Sequence, residues 1–407
     1  MILKARFAGC DLLHNNTVIQ AVNAVNTGQV SFCKFLTTND LGLTGSHQQG
    51  IYVPLDAWSL LFQRPGVKGE FLEKAVTVRW NNDIETSSCF KYYGQKTRNE
   101  YRITRFGRGF LYRDPEYCGD LLVLVKVEEA FYEAYIISND ENIDYFFDAL
   151  GLSPADANSL IHIRERPRGT LEEIIEHDFI EFLHEALKRF PTTAEMSQTA
   201  RLICERLNGV RENARTKPDE ELLRWVDTEY HLFRKIEDEY YGDKISVHFR
   251  TIDDFLKLAS EVMNRRKSRA GWSLEHHLSA AFRYNDLTFD SGKTTEGKKK
   301  PDFIFPGIDA YHNPAYDPGR LVFLGAKTTC KDRWRQILNE ADRIETKYLF
   351  TLQRGISSNQ LQEMKRASVF LVVPSPYKTD FPKEQRDELV SLKDFIQITR
   401  SKIVSSA

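Results

Sequence analysis

The sequence predicts a multidomain α+β protein, in which an N-terminal β pseudobarrel is followed by an α/β domain with a central mixed sheet. Two observations predict this fold class. Up to about residue 180, short β-branched and aromatic segments are separated by Gly, Pro and Asn, a pattern typical of small barrels. From about residue 250 onward, continuous apolar strands alternate with amphipathic helices, which is typical of a sheet covered on both faces.

The N-terminal strands are predicted from β-branched and aromatic residues in loose alternation. In chain order they are QVSFCKFL, GIYVPL, AVTVRW, NEYRITRF, DLLVLVKV and FYEAYIIS. A short helix in NIDYFFDAL follows them and ends at Gly151. We therefore predict a first domain over residues 1–180.

The C-terminal elements are predicted from a change in the residue pattern after residue 170, where apolar residues recur at helical spacing among charged residues. We predict a linker and helical connection over 181–215 and a second domain over 216–407. In the second domain, helices 251–264 and 272–284 precede strand PDFIFP. Strand RLVFLGAK, helix 332–346, strand KYLFTL, helix 358–366 and strand SVFLVVP then follow.

Bulk composition excludes several classes of protein. The formal net charge is −2, so any nucleic-acid surface must come from local clusters of basic residues. The six cysteines have no CxxC spacing, so we expect neither a zinc site nor a disulfide framework, and a reducing compartment fits better. We find no apolar run long enough for a signal peptide or a membrane span, and expect a cytoplasmic protein without a membrane partner.

A candidate catalytic pair lies on two neighbouring predicted strands. Asp302 follows Pro301 at the start of one strand, and Lys327 ends the next strand. Phosphodiester hydrolysis uses divalent cations, which take carboxylate oxygens as ligands, and a nearby lysine can offset charge. The lysine of such nucleases normally has a carboxylate two residues before it, where this chain has Gly325. The alternative is that Asp302 is a turn residue and Lys327 a solvated strand end.

The missing carboxylate has a candidate replacement in the predicted helix 332–346. Apolar residues at helical spacing form one face of this helix, and Glu340 lies on the flank of that face. Its carboxylate can then point back toward Asp302 and Lys327. The alternative is an exposed surface glutamate that pairs with Arg343, and helical geometry alone leaves both open.

Two further clusters have the chemistry of DNA contacts. Lys331, Asp332 and Arg333 can hydrogen-bond the edges of G·C pairs, although Asp332 is also suited to capping the helix that follows. A basic cluster can neutralise phosphates or belong to an ordinary exposed hairpin, and beside it are polar side chains that can reach base edges. The cluster comprises Lys96, Arg98, Arg102, Arg105 and Arg108 around Glu100, and the polar side chains are Asn39, Asp40, His47 and Asn99.

These motifs together closely resemble the EcoRII family of restriction endonucleases. The C-terminal blocks NRRKSRAG, KKPDF, AYH and above all KTTCKDRWRQILNEAD carry the resemblance. NDLGLTGSHQQGIYVP and GQKTRNEYRITRFGRG extend it into the N-terminal half. The resemblance is collinear over most of the chain. It implies a type IIE enzyme with an α/β restriction-endonuclease-like domain of the PD-(D/E)xK class.

The resemblance also implies roles for individual residues. Asp302, Lys327 and Glu340 would be catalytic, with Tyr311 also at the active site, and Asp302 and Glu340 would hold Mg²⁺. The Lys331–Arg333 segment would read the outer C·G pairs of the site 5′-CCWGG, where W is A or T.

The N-terminal half would be a pseudobarrel like that of a plant transcription-factor family, acting as an effector domain. Its two DNA-binding arms map to Lys34–Gln48 and Lys96–Arg108. The domain would bind a second copy of the DNA site. Until DNA is bound it would cover the catalytic cleft and thereby inhibit the enzyme (autoinhibition). The enzyme would be a homodimer on double-stranded DNA, paired in a restriction-modification system with a DNA cytosine methyltransferase. The main alternative is a catalytically silent sequence-specific DNA-binding regulator, and a structure-specific repair nuclease is a third possibility.

Overall fold

A computed structural model describes residues 17–43, 50–81, 83–161, 179–208, 213–246 and 248–404. The N-terminal part is one mixed sheet of eight strands in the order β2-β5-β4-β3-β7-β6-β1-β8. The strands are β1 (Val30–Phe35), β2 (Ile51–Val53), β3 (Phe71–Trp80), β4 (Ile84–Tyr93), β5 (Glu100–Thr104), β6 (Leu121–Lys126), β7 (Phe131–Ile137) and β8 (Ser159–Ile161). The β3–β7 pair is parallel and the other pairs are antiparallel.

The sheet curls so that its two edges approach each other. The 3₁₀ turn Leu55–Ala57, which directly follows edge strand β2, contacts the opposite edge strand β8. The concave side holds an aromatic core that includes Trp80, Phe90 and Tyr132. The convex side is covered by helix α1 over 17–27 and helix α3 (Asp140–Leu150), while the short α2 (Trp58–Leu61) follows β2.

The C-terminal part is a four-stranded sheet in the order β12-β11-β10-β9. Its strands are β9 (Phe303–Phe305), β10 (Val322–Lys327), β11 (Lys347–Thr351) and β12 (Val369–Val372). Strands β10, β11 and β12 are parallel, and β9 is antiparallel to β10. The helices are α4 (Ile180–Lys188), α5 (Thr193–Asn208), α6 (Asn213–Thr216), α7 (Pro218–Ser246), α8 (Ile252–Tyr284), α9 (Ile308–His312), α10 (Ser358–Arg366) and α11 (Leu392–Val404).

Strand β10 is buried on both faces, as a strand between two layers must be. Val322, Leu324 and Ala326 pack in a core with α7, α8 and α11, while Phe323 packs on the opposite face with residues of the segment after the strand. The predicted fold class, an N-terminal β domain followed by a mixed-sheet α/β domain, is confirmed. The predicted domain limits near 180 and 215 stay a prediction, because residues 162–178 and 209–212 lie outside the described parts.

Several predicted elements differ from the observed ones. The two helices 251–264 and 272–284 are the single helix α8, because the Arg, Lys and Ala residues between them favour a helix and Gly271 costs only about 1 kcal/mol. Helix α1 and strands β4 and β8 were not predicted. Within the described ranges, no helix is long and apolar enough to cross a membrane.

The predicted α-helix over 332–346 is wrong. The chain forms a 3₁₀ helix over Arg333–Asn339, becomes extended at Glu340 and takes a left-handed conformation at Ala341, where φ is 52°. The ammonium group of Lys347 binds the carbonyl oxygens of Glu340, Ala341 and Ile344, which would otherwise accept bonds within a continuing α-helix. The helix was predicted from apolar residues spaced three or four positions apart. These residues are indeed buried against the sheet, but in a 3₁₀ helix and the turn after it; they are Trp334, Ile337, Ala341 and Ile344.

A buried carboxylate of α7 joins this helix to other segments of the C-terminal part, and its removal should destabilise the fold. Asp219 accepts bonds from the amides of Ser375, Leu392 and Lys393 at 2.9–3.0 Å. We expect Asp219→Ala to lower the free energy of unfolding by about 3 kcal/mol, because it leaves these three amides without their acceptor. Denaturant unfolding measures this, with Glu220→Ala, an exposed acid in the same helical turn, as the control. Equal effects of the two substitutions would contradict the assignment.

Candidate active site

Asp302 and Lys327 meet at one end of the C-terminal sheet. Asp302 immediately precedes β9, and Lys327 is the last residue of the neighbouring strand β10. Oδ2 of Asp302 accepts bonds from the backbone amide of Ala326 at 2.7 Å and from Nζ of Lys327 at 3.0 Å. Both bonds use the same oxygen, and among the described residues Oδ1 has no donor. The carboxylate is thus fixed by the strand beside it and still has an oxygen for a further ligand.

Glu340 lies close to this pair although its surroundings are not helical. It follows the 3₁₀ helix Arg333–Asn339 and is half-buried. Burial raises the pKa of its carboxyl group to about 7, the Asp302 carboxylate also raises it, and the Lys327 ammonium lowers it. The Glu340 carboxyl group therefore lies within electrostatic range of both predicted catalytic residues.

Gly325 explains why a carboxylate is absent from the usual place on the strand. A Cβ atom at residue 325 would lie 3.0 Å from Cγ2 of Ile337 and 3.4 Å from Cδ1 of Leu349. Ile337 belongs to the 3₁₀ helix that packs on this face of β10, and its side chain is fully buried. A carboxylate at this position would be driven into the core. The segment that excludes it is also the segment that carries Glu340.

A third carboxyl group, not included among the predicted site residues, reaches the same place from α8. Burial raises the pKa of Glu275 to about 7, and the effects of Asp302 and Lys327 on it have the same signs as for Glu340. Neither Glu275 nor Glu340 has a side-chain hydrogen-bond donor within the described parts of the chain. The sequence signal was weak, because Glu275 lies in a long charged helix, and only the packing of α8 on the sheet brings it to Asp302.

The three carboxyl groups and one ammonium group have the composition of a site for a hard cation. Carboxylate oxygens are the preferred ligands of Mg²⁺. Burial, and after it the nearby Asp302 carboxylate, raises the pKa values of the Glu275 and Glu340 carboxyl groups. In the described ranges, no group of three or more His, Cys, Asp or Glu side chains is arranged so that these side chains alone could hold a metal ion. Magnesium commonly keeps several waters and binds few protein carboxylates, so the donor set fits it.

Tyr311, also predicted at the active site, is a buried residue of α9. Its hydroxyl donates to the Glu296 carboxylate and accepts from the amide of Arg343 at 3.2 Å. The Arg343 guanidinium in turn donates to the carbonyl oxygens of Tyr311, Asn313 and Tyr316. This network holds the turn that follows Glu340. The alternative for Glu340, a surface pair with Arg343, is absent from the ion pairs of the described residues.

The Lys331–Arg333 segment, predicted to read bases, is covered by helix α3 of the N-terminal part. The carboxylate of Asp140 accepts bonds from the backbone amides of Lys331, Asp332 and Arg333 at 2.7–3.2 Å. The side chain of Lys331 pairs with Asp120, and both groups are buried. The Asp332 side chain is exposed apart from a 3.4 Å bond to the amide of Asp140.

Helix α3 presents an acidic face to the segment that contains Lys331 and Arg333. Asp140, Asp144 and Asp148 are spaced by one turn each, so they lie on one side of the helix. Asp144 pairs with the Arg333 guanidinium and accepts from Oγ1 of Thr329 at 3.0 Å. Burial raises the pKa values of all three carboxyl groups, and Arg333 lowers those of Asp140 and Asp144. Burying this charge is unfavourable unless it is paired, so the contact depends on the basic residues opposite.

The candidate DNA-binding residues of the N-terminal part fall into two groups. Lys96, Arg98 and Arg105 are exposed. Arg102 is buried and donates to the carbonyl oxygen of Gly50 at 3.0 Å and to Glu100 at 3.1 Å.

The other arm is placed only in part. Asp40 is buried and pairs with Lys34 at 2.7 Å, while Asn39 is half-buried. His47 lies outside the described residues. Of these side chains, the structure thus leaves only Asn39 partly accessible, and Asp40 has an internal partner.

Comparison with known proteins gives matches over both halves of the chain. The family model described as "Restriction endonuclease EcoRII, N-terminal" matches residues 25–156, and "EcoRII C terminal" matches residues 233–396. The type II restriction enzyme EcoRII of Escherichia coli is 36% identical over 391 residues, which cover 90% of this chain and 92% of that protein. The type II restriction enzyme SsoII of Shigella sonnei is 26% identical over 150 residues, which are 34% of this chain and 48% of that protein.

A solved structure gives a weaker likeness. Metal-depleted Ecl18kI in complex with uncleaved DNA aligns with a TM-score of 0.45 and 19% identity, over 56% of this chain and 86% of that chain.

The close packing at Gly325 makes a prediction about restoring the usual carboxylate. We expect Gly325→Asp to lower the free energy of unfolding by about 3 kcal/mol or more, because a charge is placed against Ile337 and Leu349. Gly325→Ala, which adds only the Cβ atom, should cost about 1–3 kcal/mol. Thermal and denaturant unfolding of the two variants separate crowding from charge. A Gly325→Asp protein as stable as the parent would show that the segment can move aside.

Proposed function

The chain belongs to the EcoRII family of type II restriction endonucleases, and we propose that it is a magnesium-dependent enzyme that cuts both strands of double-stranded DNA at 5′-CCWGG. The observation that carries the proposal is the group of three carboxyl groups around Lys327 at one end of the C-terminal sheet. A DNA-binding regulator without catalysis would need neither the lysine nor carboxyl groups that lack hydrogen-bond donors. A repair nuclease would need no segment suited to reading G·C pairs.

In the proposed reaction, the carboxylates of Asp302, Glu340 and Glu275 would hold Mg²⁺, either directly or through the waters that this ion commonly keeps. When bound, the ion would stabilise charge on the scissile phosphate and lower the pKa of the attacking water. Asp302 also orients Lys327, whose ammonium group is then directed to the anion that develops during cleavage. Tyr311 acts at a distance from the phosphate, through the turn that follows Glu340.

The proposed specificity resides in the Lys331–Arg333 segment. Lysine and arginine can donate to guanine O6 and N7, and aspartate can accept from cytosine N4, so the segment suits the outer C·G pairs. The same segment is bound by the N-terminal part, with Lys331 on Asp120, which directly precedes β6, and Arg333 on Asp144 of α3. DNA and the N-terminal part therefore compete for the same side chains. This competition supports autoinhibition by the N-terminal domain.

We further propose that a second copy of the site relieves the inhibition by binding the N-terminal domain. Lys96, Arg98, Arg105 and Arg108 are exposed and can contact phosphates. The lining of a cavity of about 420 Å³ beside them includes the basic residues Lys91, Arg105 and Arg113. Three of the predicted DNA-binding residues have partners within the domain, so we propose that they support this surface and do not contact DNA. They are Asp40, Glu100 and Arg102. Asn39 and His47 remain candidates for base contacts.

The assembly follows from the reaction. One active site cuts one strand, so cleavage of both strands at a near-symmetric site is best achieved by a homodimer. Such an enzyme acts where DNA is present, so we place it in the cytoplasm. The cell's own DNA would be protected by a DNA cytosine methyltransferase acting on the same site.

Cleavage of plasmid DNA tests the proposed function. Plasmid with several CCWGG sites should be cut in Mg²⁺ and remain intact in EDTA, and plasmid without the site should remain intact in both. Glu340→Gln and Glu275→Gln should each lower the cleavage rate about 100-fold or more, because each removes a charged ligand. Glu345→Gln, which alters an exposed acid nearby, is the matched control. Absence of cutting in Mg²⁺ would refute the enzyme, and cutting elsewhere would refute the site.

Loss of the acidic face of α3 should release the enzyme from inhibition. We expect the Asp140→Ala, Asp144→Ala double variant to cleave DNA with one copy of the site about 5- to 150-fold faster than the parent, the usual range of a coupling free energy. Glu141→Ala alters an exposed acid of the same helix and should leave the rate unchanged. Rates on one-site and two-site DNA are compared for each protein. A double variant that still needs two sites as strongly as the parent would exclude inhibition through this face.

A further inference from the structure

A buried lysine lies beneath the turn that carries Glu340. Lys347 is the first residue of β11, and only 5% of its surface is exposed. Its ammonium group donates to the carbonyl oxygens of Glu340, of Ala341 at 3.2 Å and of Ile344 at 3.1 Å. An ammonium group has three donors, and all three find an acceptor in this one turn.

The turn has little regular structure of its own. The backbone of Glu340 is extended, and Ala341 has a φ of 52°, a backbone conformation that residues other than glycine rarely adopt. A carboxylate on a strand would be fixed by the strand's own ladder, whereas Glu340 follows a short 3₁₀ helix and needs another constraint. Lys347 supplies it, because β11 is paired in parallel with β10, the strand that ends at Lys327.

We propose that Lys347 is a positioning residue, which holds the Glu340 carboxyl group toward Asp302 and Lys327 and thereby sets the affinity of the site for a divalent cation. The inference rests on the proposed function in one respect, that Glu340 is a ligand of the cation. Because its ammonium group is bound to the carbonyl oxygens of the turn, Lys347 would contact neither the phosphate nor the metal. It acts through the backbone of residues 340–344.

A second set of bonds holds the same turn from its other side. The amide of Arg343 donates to the Tyr311 hydroxyl at 3.2 Å, and the amide of Asp342 donates to Glu296 at 3.4 Å. These bonds do not involve Lys347. The turn should therefore stay in place without the lysine but become looser, and the protein should still fold.

The test compares Lys347→Met with Lys347→Arg, which keeps the charge and the donors. Lys365→Met, which alters an exposed lysine of α10 paired with Glu388, is the control. Three quantities are measured on the full chain: Mg²⁺ binding by calorimetry, hydrogen exchange of the amides of 340–346, and the cleavage rate as a function of Mg²⁺ concentration. For Lys347→Met we expect faster exchange of these amides. The affinity for Mg²⁺ should fall about 10- to 100-fold, and the Mg²⁺ concentration that gives half of the maximal cleavage rate should rise by the same factor, as for other residues that orient a metal ligand. The rate at saturating Mg²⁺ should change less, and Lys347→Arg should retain more affinity than Lys347→Met.

The outcomes separate this inference from the proposed function. If the parent cleaves DNA and Lys347→Met matches it in exchange or in Mg²⁺ half-saturation, the role of Lys347 is refuted while the enzyme stands. If the parent itself cleaves nothing in Mg²⁺, the proposed function fails, and exchange and calorimetry still decide whether Lys347 holds the turn and affects cation binding. Lower stability with unchanged cation affinity would indicate a purely structural lysine and overturn the inference.

Discussion

The close contact between Gly325 and Ile337 is the constraint on which the catalytic half depends. Because a side chain at 325 would meet the fully buried Ile337 and Leu349, the face of β10 next to Lys327 is closed to a carboxylate. The segment that contains Ile337 continues directly to Glu340. The contact that excludes a carboxylate from residue 325 therefore also places the Glu340 carboxyl group near Lys327. Glu340 lies on a segment without the hydrogen bonds of a helix or a sheet, so other groups must hold the turn that follows it. Lys347 and Tyr311 provide these bonds.

The strands and the Asp302–Lys327 pair were accessible from the sequence because both rest on local patterns. Apolar runs bounded by turns mark the strands. Asp302 before β9 and Lys327 at the end of β10 then lie together because these two strands are neighbours and antiparallel. The relocation of the acid to Glu340 was predicted from an assumed helical phase. The structure has no α-helix there, yet Glu340 still lies near the pair, because spacings of three and four residues also suit a 3₁₀ helix followed by a turn.

What the sequence did not reveal depends on distant segments. Glu275 reaches the site only because α8 packs across the sheet, and a charged helix carries no mark of which acid faces inward. The acidic side of α3 gave no signal either, since Asp140 and Asp144 are about 190 residues from Lys331 and Arg333 along the chain. Pairs at such separation become visible only when both folds are known. A basic cluster likewise does not show which members are internal, as Arg102 is and Arg98 is not.

The short path from Lys327 to Glu340 limits how this protein can acquire a new target sequence. The proposed base-reading residues lie in the segment that connects the proposed catalytic residues Lys327 and Glu340, and the packing of Ile337 on Gly325 holds that segment against the sheet. An insertion or deletion there would move Glu340 away from its partners. New specificities are therefore accessible by exchanging side chains at 331–333 within a segment of fixed length. Divergence in this family should then be seen as substitutions in the segment, while changes in loop length accumulate elsewhere.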